Sequence, residues 1–230
     1  MHLTILGATG GTGRILVDQA LAAGHKVTAA VRRPEAVTPR DGLDVVACDV
    51  RDPAAVEAAV AGRDAVLSAL GGRFTPDPVD VYSVGVGNAV AAMRRHGVRR
   101  IVVVSSTAIQ PDGHPGGGFV FDRLVEPVVA RVLARTLYAD VRRMEALLRA
   151  SDLDWTIARA SGLFDVPAPT PYTLTEERSV SLYTARADLA AALLEAAAGD
   201  RFVRRVMAVS TVSEKPNILG LIWREGINRR

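Results

Sequence analysis

Three glycines at the spacing G-x-x-G-x-x-G, Gly7, Gly10 and Gly13, follow the apolar run Leu3-Thr4-Ile5-Leu6 and precede a helical pattern. A buried strand that stops at glycine and passes at once into a helix reads as a tight turn. In that turn Gly7 permits the reversal, Gly10 leaves the backbone open to a ligand, and Gly13 lets the helix pack closely on the strand. The open N–H groups and the positive end of the helix suit an anion such as a pyrophosphate. Thr9, Gly11 and Thr12 complete the loop. Chance matches to this spacing are common, and the strand before and helix after it give this one its weight.

Further candidates stand where other strands end. Arg32-Arg33 follows the second strand, at the point where a carboxylate would hold the ribose 2′-hydroxyl of NAD. Two guanidinium groups suit a 2′-phosphate instead, and NADP(H) is the expected cofactor; the plainer alternative is a pair of solvated arginines. Asp49-Val50 ends the third strand and could receive an adenine edge, or Asp49 could cap a turn. Ala69-Leu70-Gly71 ends the fourth, with small residues against which a ribose can lie. Ser105 and Ser106 end the fifth, where a nicotinamide ring would lie or where serines simply cap a strand.

The elements that carry these residues alternate. Near-continuous apolar strands are expected at 1–6, 26–31, 43–48, 64–69, 100–104, 154–158 and 203–209. Helices are expected at 14–23, 52–60, 81–95, 128–150 and 185–198, with a further short strand at 179–183. Asp52-Pro53 has the form of an N-cap followed by proline at the first helical position. Apolar strands alternating with helices imply an α/β fold, a Rossmann-type doubly wound parallel sheet flanked by helices on both faces, in the order 3-2-1-4-5-6. Residues 1–212 are expected to form one domain with small substrate-side elements, and 213–230 a tail. Within the domain, 166–171 is a proline-rich loop, 162–171 is expected to form part of the substrate wall, and 111–118 is a glycine- and proline-rich crossing or lid.

Bulk properties bound the partners. The 230 residues carry 28 basic and 25 acidic side chains, a mild excess that fits a small anion, with no basic-aromatic pattern pointing to nucleic acid. Cys48 is the single cysteine, which excludes an internal disulfide; it lies in an apolar run and reads as a buried thiol rather than a reactive one. His2, His25, His96 and His114 are scattered and suggest no metal site. With no signal peptide or membrane-spanning run, a cytoplasmic protein is expected.

The segment Gly7-Ala8-Thr9-Gly10-Gly11-Thr12-Gly13, with Val31-Arg32-Arg33-Pro34, resembles the atypical short-chain dehydrogenase/reductases. The likeness is to the NAD(P)H-binding, NmrA-like and biliverdin-reductase-B/flavin-reductase-like proteins. Met144-Glu145-Ala146-Leu147-Leu148 through Asp154-Trp155-Thr156-Ile157-Ala158-Arg159, and Arg186-Ala187-Asp188-Leu189-Ala190, are similar to later segments of that group. The resemblance implies that Gly10 to Gly13 surround the pyrophosphate, Arg32 and Arg33 the 2′-phosphate, Asp49 and Val50 the adenine, and Ala69 to Gly71 the ribose. Ser106 falls where flavin-reductase-like members place a serine beside the nicotinamide. The chain departs from most short-chain dehydrogenases at the Tyr-x-x-x-Lys pair. It offers Tyr138-x-x-x-Arg142, while alignment on Glu145 puts Leu137 and Val141 in those slots. The implied activity is NADPH-dependent hydride transfer to a flavin, quinone or similar conjugated molecule. The rival is a non-catalytic NAD(P)-sensing regulator; a sugar-nucleotide epimerase fits less well without the Tyr/Lys pair.

Overall fold

The structure, a computed structural model, describes residues 1–72, 75, 77–110 and 134–213. Ten strands and five helices are described: β1 His2–Leu6, α1 Gly11–Ala22, β2 Lys26–Val31, β3 Leu43–Ala47, α2 Pro53–Val60, β4 Ala65–Ser68, α3 Val81–His96, β5 Arg100–Ser106, α4 Arg135–Arg149, β6 Asp154–Ala160, β7 Gly162–Phe164, β8 Tyr172–Glu176, β9 Tyr183–Ala185, α5 Arg186–Ala198 and β10 Arg205–Thr211. Eight strands form one sheet in the order β3-β2-β1-β4-β5-β6-β10-β8. The doubly wound order expected from the sequence is therefore present and extended. β10 joins β6 in parallel, and β8 closes that edge antiparallel to β10.

Both faces of the sheet are covered, which is why its inner strands are apolar throughout. On one face Val56, Val86, Met93, Val141, Met144 and Leu148, from α2, α3 and α4, pack with Leu6, Val66, Ile101 and Ile157. On the other, Leu16, Val17 and Ala20 of α1 and Leu189, Leu193 and Ala196 of α5 pack with Ile5, Leu67, Val102 and Met207. The stripe Leu137, Val141, Met144 and Leu148 is buried as the spacing of α4 requires. Val129, Val132 and Leu133, expected to extend it, lie outside the described residues, as do His114 and all the tail after Ser213.

Several boundaries differ from the sequence reading for identifiable reasons. α1 starts at Gly11 rather than Arg14, so the glycine loop itself supplies the first helical turn. β5 and β6 run two residues further than expected, because the ladder between them continues through Ser105↔Arg159 and Ser106↔Ala160. The short strand expected at 179–183 begins only at Tyr183. Upstream, the serines satisfy backbone groups locally: Ser179 Oγ donates to the Ser181 carbonyl at 2.7 Å, and Ser181 Oγ accepts from the Tyr183 N–H at 3.2 Å. The last strand starts at Arg205 because a turn, closed by the Val203 N–H on the Asp200 carbonyl, occupies the preceding residues. The Asp52 cap stands as read: its carboxylate accepts from the N–H groups of Ala54 and Ala55.

Candidate functional site

β1 and β4 are neighbours, yet α1 leaves β1 for one face and α3 follows β4 on the other. The crevice at the carboxyl ends of these two strands is the switch point where such sheets bind ligands. Gly7 occupies it with φ +79°; a Cβ there would lie 2.7 Å from the Ala69 carbonyl oxygen. A Cβ on Gly13 would stand 2.1 Å from the Gly7 carbonyl oxygen, a backbone collision with no side chain to move aside. The Gly10 N–H closes the turn on the Gly7 carbonyl at 3.0 Å. Gly10 is also the N-cap and has no side chain with which to cap. The first intrahelical bond after it is from the Arg14 N–H to the Gly10 carbonyl. The N–H groups of Gly11, Thr12 and Gly13 are thus the helix donors left to an outside acceptor. An amide-lined cradle at a helix N-terminus fits a diphosphate in charge and in donor set.

The neighbouring strand ends converge on this turn. Leu6 pairs with Ala30 of β2 and with Ser68 of β4. Arg32 and Arg33 follow β2 directly and are exposed; among the described residues no carboxylate pairs with either. Val50 is buried against α3, where a Cβ on Gly85 would stand 3.0 Å from it and 2.9 Å from Leu70 Cδ1. Asn88 Nδ2 donates to the Val50 carbonyl at 2.8 Å, which holds this strand end on α3. Asp49 is exposed, and one of its oxygens accepts from the Arg51 N–H at 3.0 Å, so the carboxylate is at least in part a turn cap. Ala69 and Leu70 are buried; Gly71 is exposed, with open space where a side chain would stand.

Beyond β4 the two serines separate. Ser106 is half-buried and its Oγ accepts from the Ala108 N–H at 3.2 Å, leaving its own proton to donate elsewhere. Ser105 is buried and donates to Glu145 Oε1 at 2.6 Å. Glu145 in turn holds Arg159, whose Nε and NH2 reach the two carboxylate oxygens at 2.9 and 2.7 Å. The fork-to-fork ion pair fixes the ends of β5 and β6 to α4. Sequence reasoning quoted Glu145 and Arg159 but gave them no role. The signal was present: a carboxylate beside Met144 on an apolar stripe, and an arginine inside an apolar strand, each demand a partner.

Leu137 and Val141, which alignment on Glu145 puts in the slots of the usual acid/base pair, are buried. Leu137 lies beside Gly72, whose missing Cβ would stand 3.3 Å from Leu137 Cδ1. Tyr138 packs half-buried against the core and Arg142 is exposed. The proline-rich loop at 166–171 and β10 are tied to α5 by Asp188, which is fully buried. It accepts from the Thr170 N–H and hydroxyl at 2.6 and 2.9 Å and from the Thr211 hydroxyl at 2.5 Å. Burial, with Asp49 and Asp52 adding negative charge, pushes the Cys48 thiol up to about 11, which fits an inert core thiol. Among the described residues no His, Cys, Asp and Glu cluster could hold a metal ion, and no helix is long and apolar enough to cross a membrane.

Residues 7–200 match the family model described as NAD(P)H-binding. An uncharacterized chloroplastic protein of Arabidopsis thaliana is 32% identical over 185 residues, 75% of this chain and 62% of that protein. An L-arabinose 1-dehydrogenase (NAD(P)(+)) of Haloferax volcanii is 33% identical over 173 residues, 74% of this chain and 55% of that protein. The chain therefore spans between half and two thirds of the length of these relatives. Among solved structures, a short-chain dehydrogenase/reductase from Veillonella parvula in complex with NADP superimposes with a TM-score of 0.76 at 22% identity, covering 94% of this chain and 98% of that one. With its glycine turn at the switch point of a doubly wound sheet, the chain belongs to the NAD(P)H-binding family and has the fold of NAD(P)-dependent oxidoreductases.

Proposed function

We propose that this protein is an NADPH-dependent reductase that passes hydride to a flavin, a quinone or a similar planar conjugated molecule. The N–H groups of Gly11, Thr12 and Gly13 hold the diphosphate, with Gly7, Thr9 and Gly10 shaping the loop. Arg32 and Arg33 hold the 2′-phosphate, Asp49 and Val50 border the adenine, and Ala69, Leu70 and Gly71 border the ribose. Ser106 orients the nicotinamide or the acceptor through its free hydroxyl proton, and Ser105 braces it from the buried side. The dinucleotide, when bound, supplies the hydride. Residues 1–212 act as one binding unit with 213–230 as an appended tail, working in the cytoplasm, where a single buried thiol is at home.

One observation carries the choice of acceptor: Leu137 and Val141, which alignment on Glu145 puts in the slots of the tyrosine and lysine, are buried and apolar. A conjugated ring accepts hydride while solvent supplies the proton, so positioning replaces acid/base catalysis. The same observation supports the second reading, a sensor that binds the dinucleotide without turnover. Steady-state NADPH oxidation with a panel of flavins and quinones separates them. Acceptor-dependent turnover that falls in Ser106→Ala supports the reductase. Tight binding with no turnover across the panel overturns it in favour of the sensor.

A further inference from the structure

We propose that Arg186 is a diphosphate-binding residue of the dinucleotide site, reaching it from the C-terminal half of the chain. The proposal rests on the reading that Gly11 to Gly13 hold the diphosphate. Arg186 is the first residue of α5 and is 9% exposed. Its side chain lies over the first turn of α1: a Cβ placed on Gly11 would stand 2.9 Å from its Nε, 3.2 Å from Cδ and 3.7 Å from Cζ. The missing side chain of Gly11 is what lets the guanidinium group approach the loop. Gln19 Nε2 donates to the Ala187 carbonyl at 3.0 Å and fixes α1 to the start of α5, so this approach is held by both helices.

The guanidinium stands beside the positive end of α1, the place where an anion is favoured. A cation against the positive end of a helix is disfavoured, and burial removes the water that would screen it. Asp165 Oδ1 accepts from Arg186 NH1 at 2.9 Å and holds the guanidinium on this side of the loop; that carboxylate side chain is 58% exposed. A diphosphate on the three N–H groups of the first turn brings negative charge to the same place. A planar guanidinium binds phosphate oxygens in pairs, so it adds direction as well as charge. The diphosphate is common to both dinucleotides, which separates this residue from Arg32 and Arg33.

Fluorescence titration of the full chain with NADPH, NADH and adenosine 2′-monophosphate, which lacks the diphosphate, tests the assignment. Arg186→Gln is expected to weaken NADPH and NADH alike by about tenfold or more, as loss of a charge-assisted bond does. It should leave adenosine 2′-monophosphate within about twofold. Asp165→Asn removes a competing carboxylate and should tighten both dinucleotides about threefold. NADPH binding by Arg186→Gln within about twofold of wild type overturns the proposal, as does a loss shared by adenosine 2′-monophosphate. Should Arg186→Gln fail to fold, the Asp165→Asn titration decides alone, and binding no tighter than wild type overturns it. Wild-type protein that fails to bind NADPH refutes the site itself, a different outcome from wild-type binding that survives the loss of Arg186.

Discussion

Glu145→Gln probes how the ends of β5 and β6 are held under the site. Glu145 and Arg159 are each 5% exposed. The carboxylate receives three short bonds, from Ser105 Oγ at 2.6 Å and from Arg159 Nε and NH2 at 2.9 and 2.7 Å. Glutamine keeps the shape but turns one acceptor into a donor that faces other donors, and it leaves the guanidinium only the exposed Glu177 carboxylate, 4.0 Å away, as counter-charge. Breaking a buried pair in this way costs about 3–5 kcal/mol. In a chain of this size each kcal/mol moves the thermal midpoint by roughly 2–4 °C, so a fall of roughly 6–20 °C is expected. Urea unfolding followed by circular dichroism measures the free energy directly. Glu145→Met/Arg159→Met removes both charges and should recover most of the loss, because two apolar groups in a buried site need no partners. A loss under about 1 kcal/mol in Glu145→Gln, or a double variant less stable than the single one, would show that the pair does not brace these strands.

Other perturbations separate fold from binding. Gly13→Ala drives a Cβ to 2.1 Å from the Gly7 carbonyl oxygen, so a loss of about 1–3 kcal/mol together with weakened NADPH titration is expected. Gly24→Ala has open space but φ +79°, and should cost about 1–2 kcal/mol with NADPH affinity unchanged. Asp52→Ala removes an N-cap that serves two N–H groups and should lower stability by about 1 kcal/mol in urea unfolding. Cys48 should resist thiol reagents in the native state at pH 8. Its thiol ionises near 9.0 when unfolded and about 11 when folded. The unfolded chain therefore loses this proton first, and stability should fall as pH rises from about 9 to about 11. In Cys48→Ala that part of the slope disappears.

The architecture was legible because its causes are local. Apolar strands that end at glycine, Asp52-Pro53 opening α2 and Gly97 closing α3 are written in single short stretches. The antiparallel edge strand Tyr172–Glu176 was not, because its half-buried alternation of polar and apolar residues is weak beside a proline-rich loop. The glycine turn was visible as a motif, but its extension into the first turn of α1 depended on hydrogen bonds that only the fold defines. The long-range pairs were hidden for the same reason. Asp140 carries no local signal in the sequence, yet it is fully buried and accepts from the Tyr82 N–H at 2.9 Å at the start of α3. Its role depends on two helices brought together from 58 residues apart. Arg186 and Asp188 likewise gain meaning only once α5 lies against α1 and β10.

Titration of the wild-type chain and of Arg32→Glu/Arg33→Glu with NADPH and NADH, followed by nicotinamide fluorescence, is the most direct test of the dinucleotide site. The expected result is saturable binding with NADPH preferred by wild type, and loss of that preference in the double variant while NADH still binds. Wild-type protein that binds neither dinucleotide, or a preference untouched by the two substitutions, would contradict it.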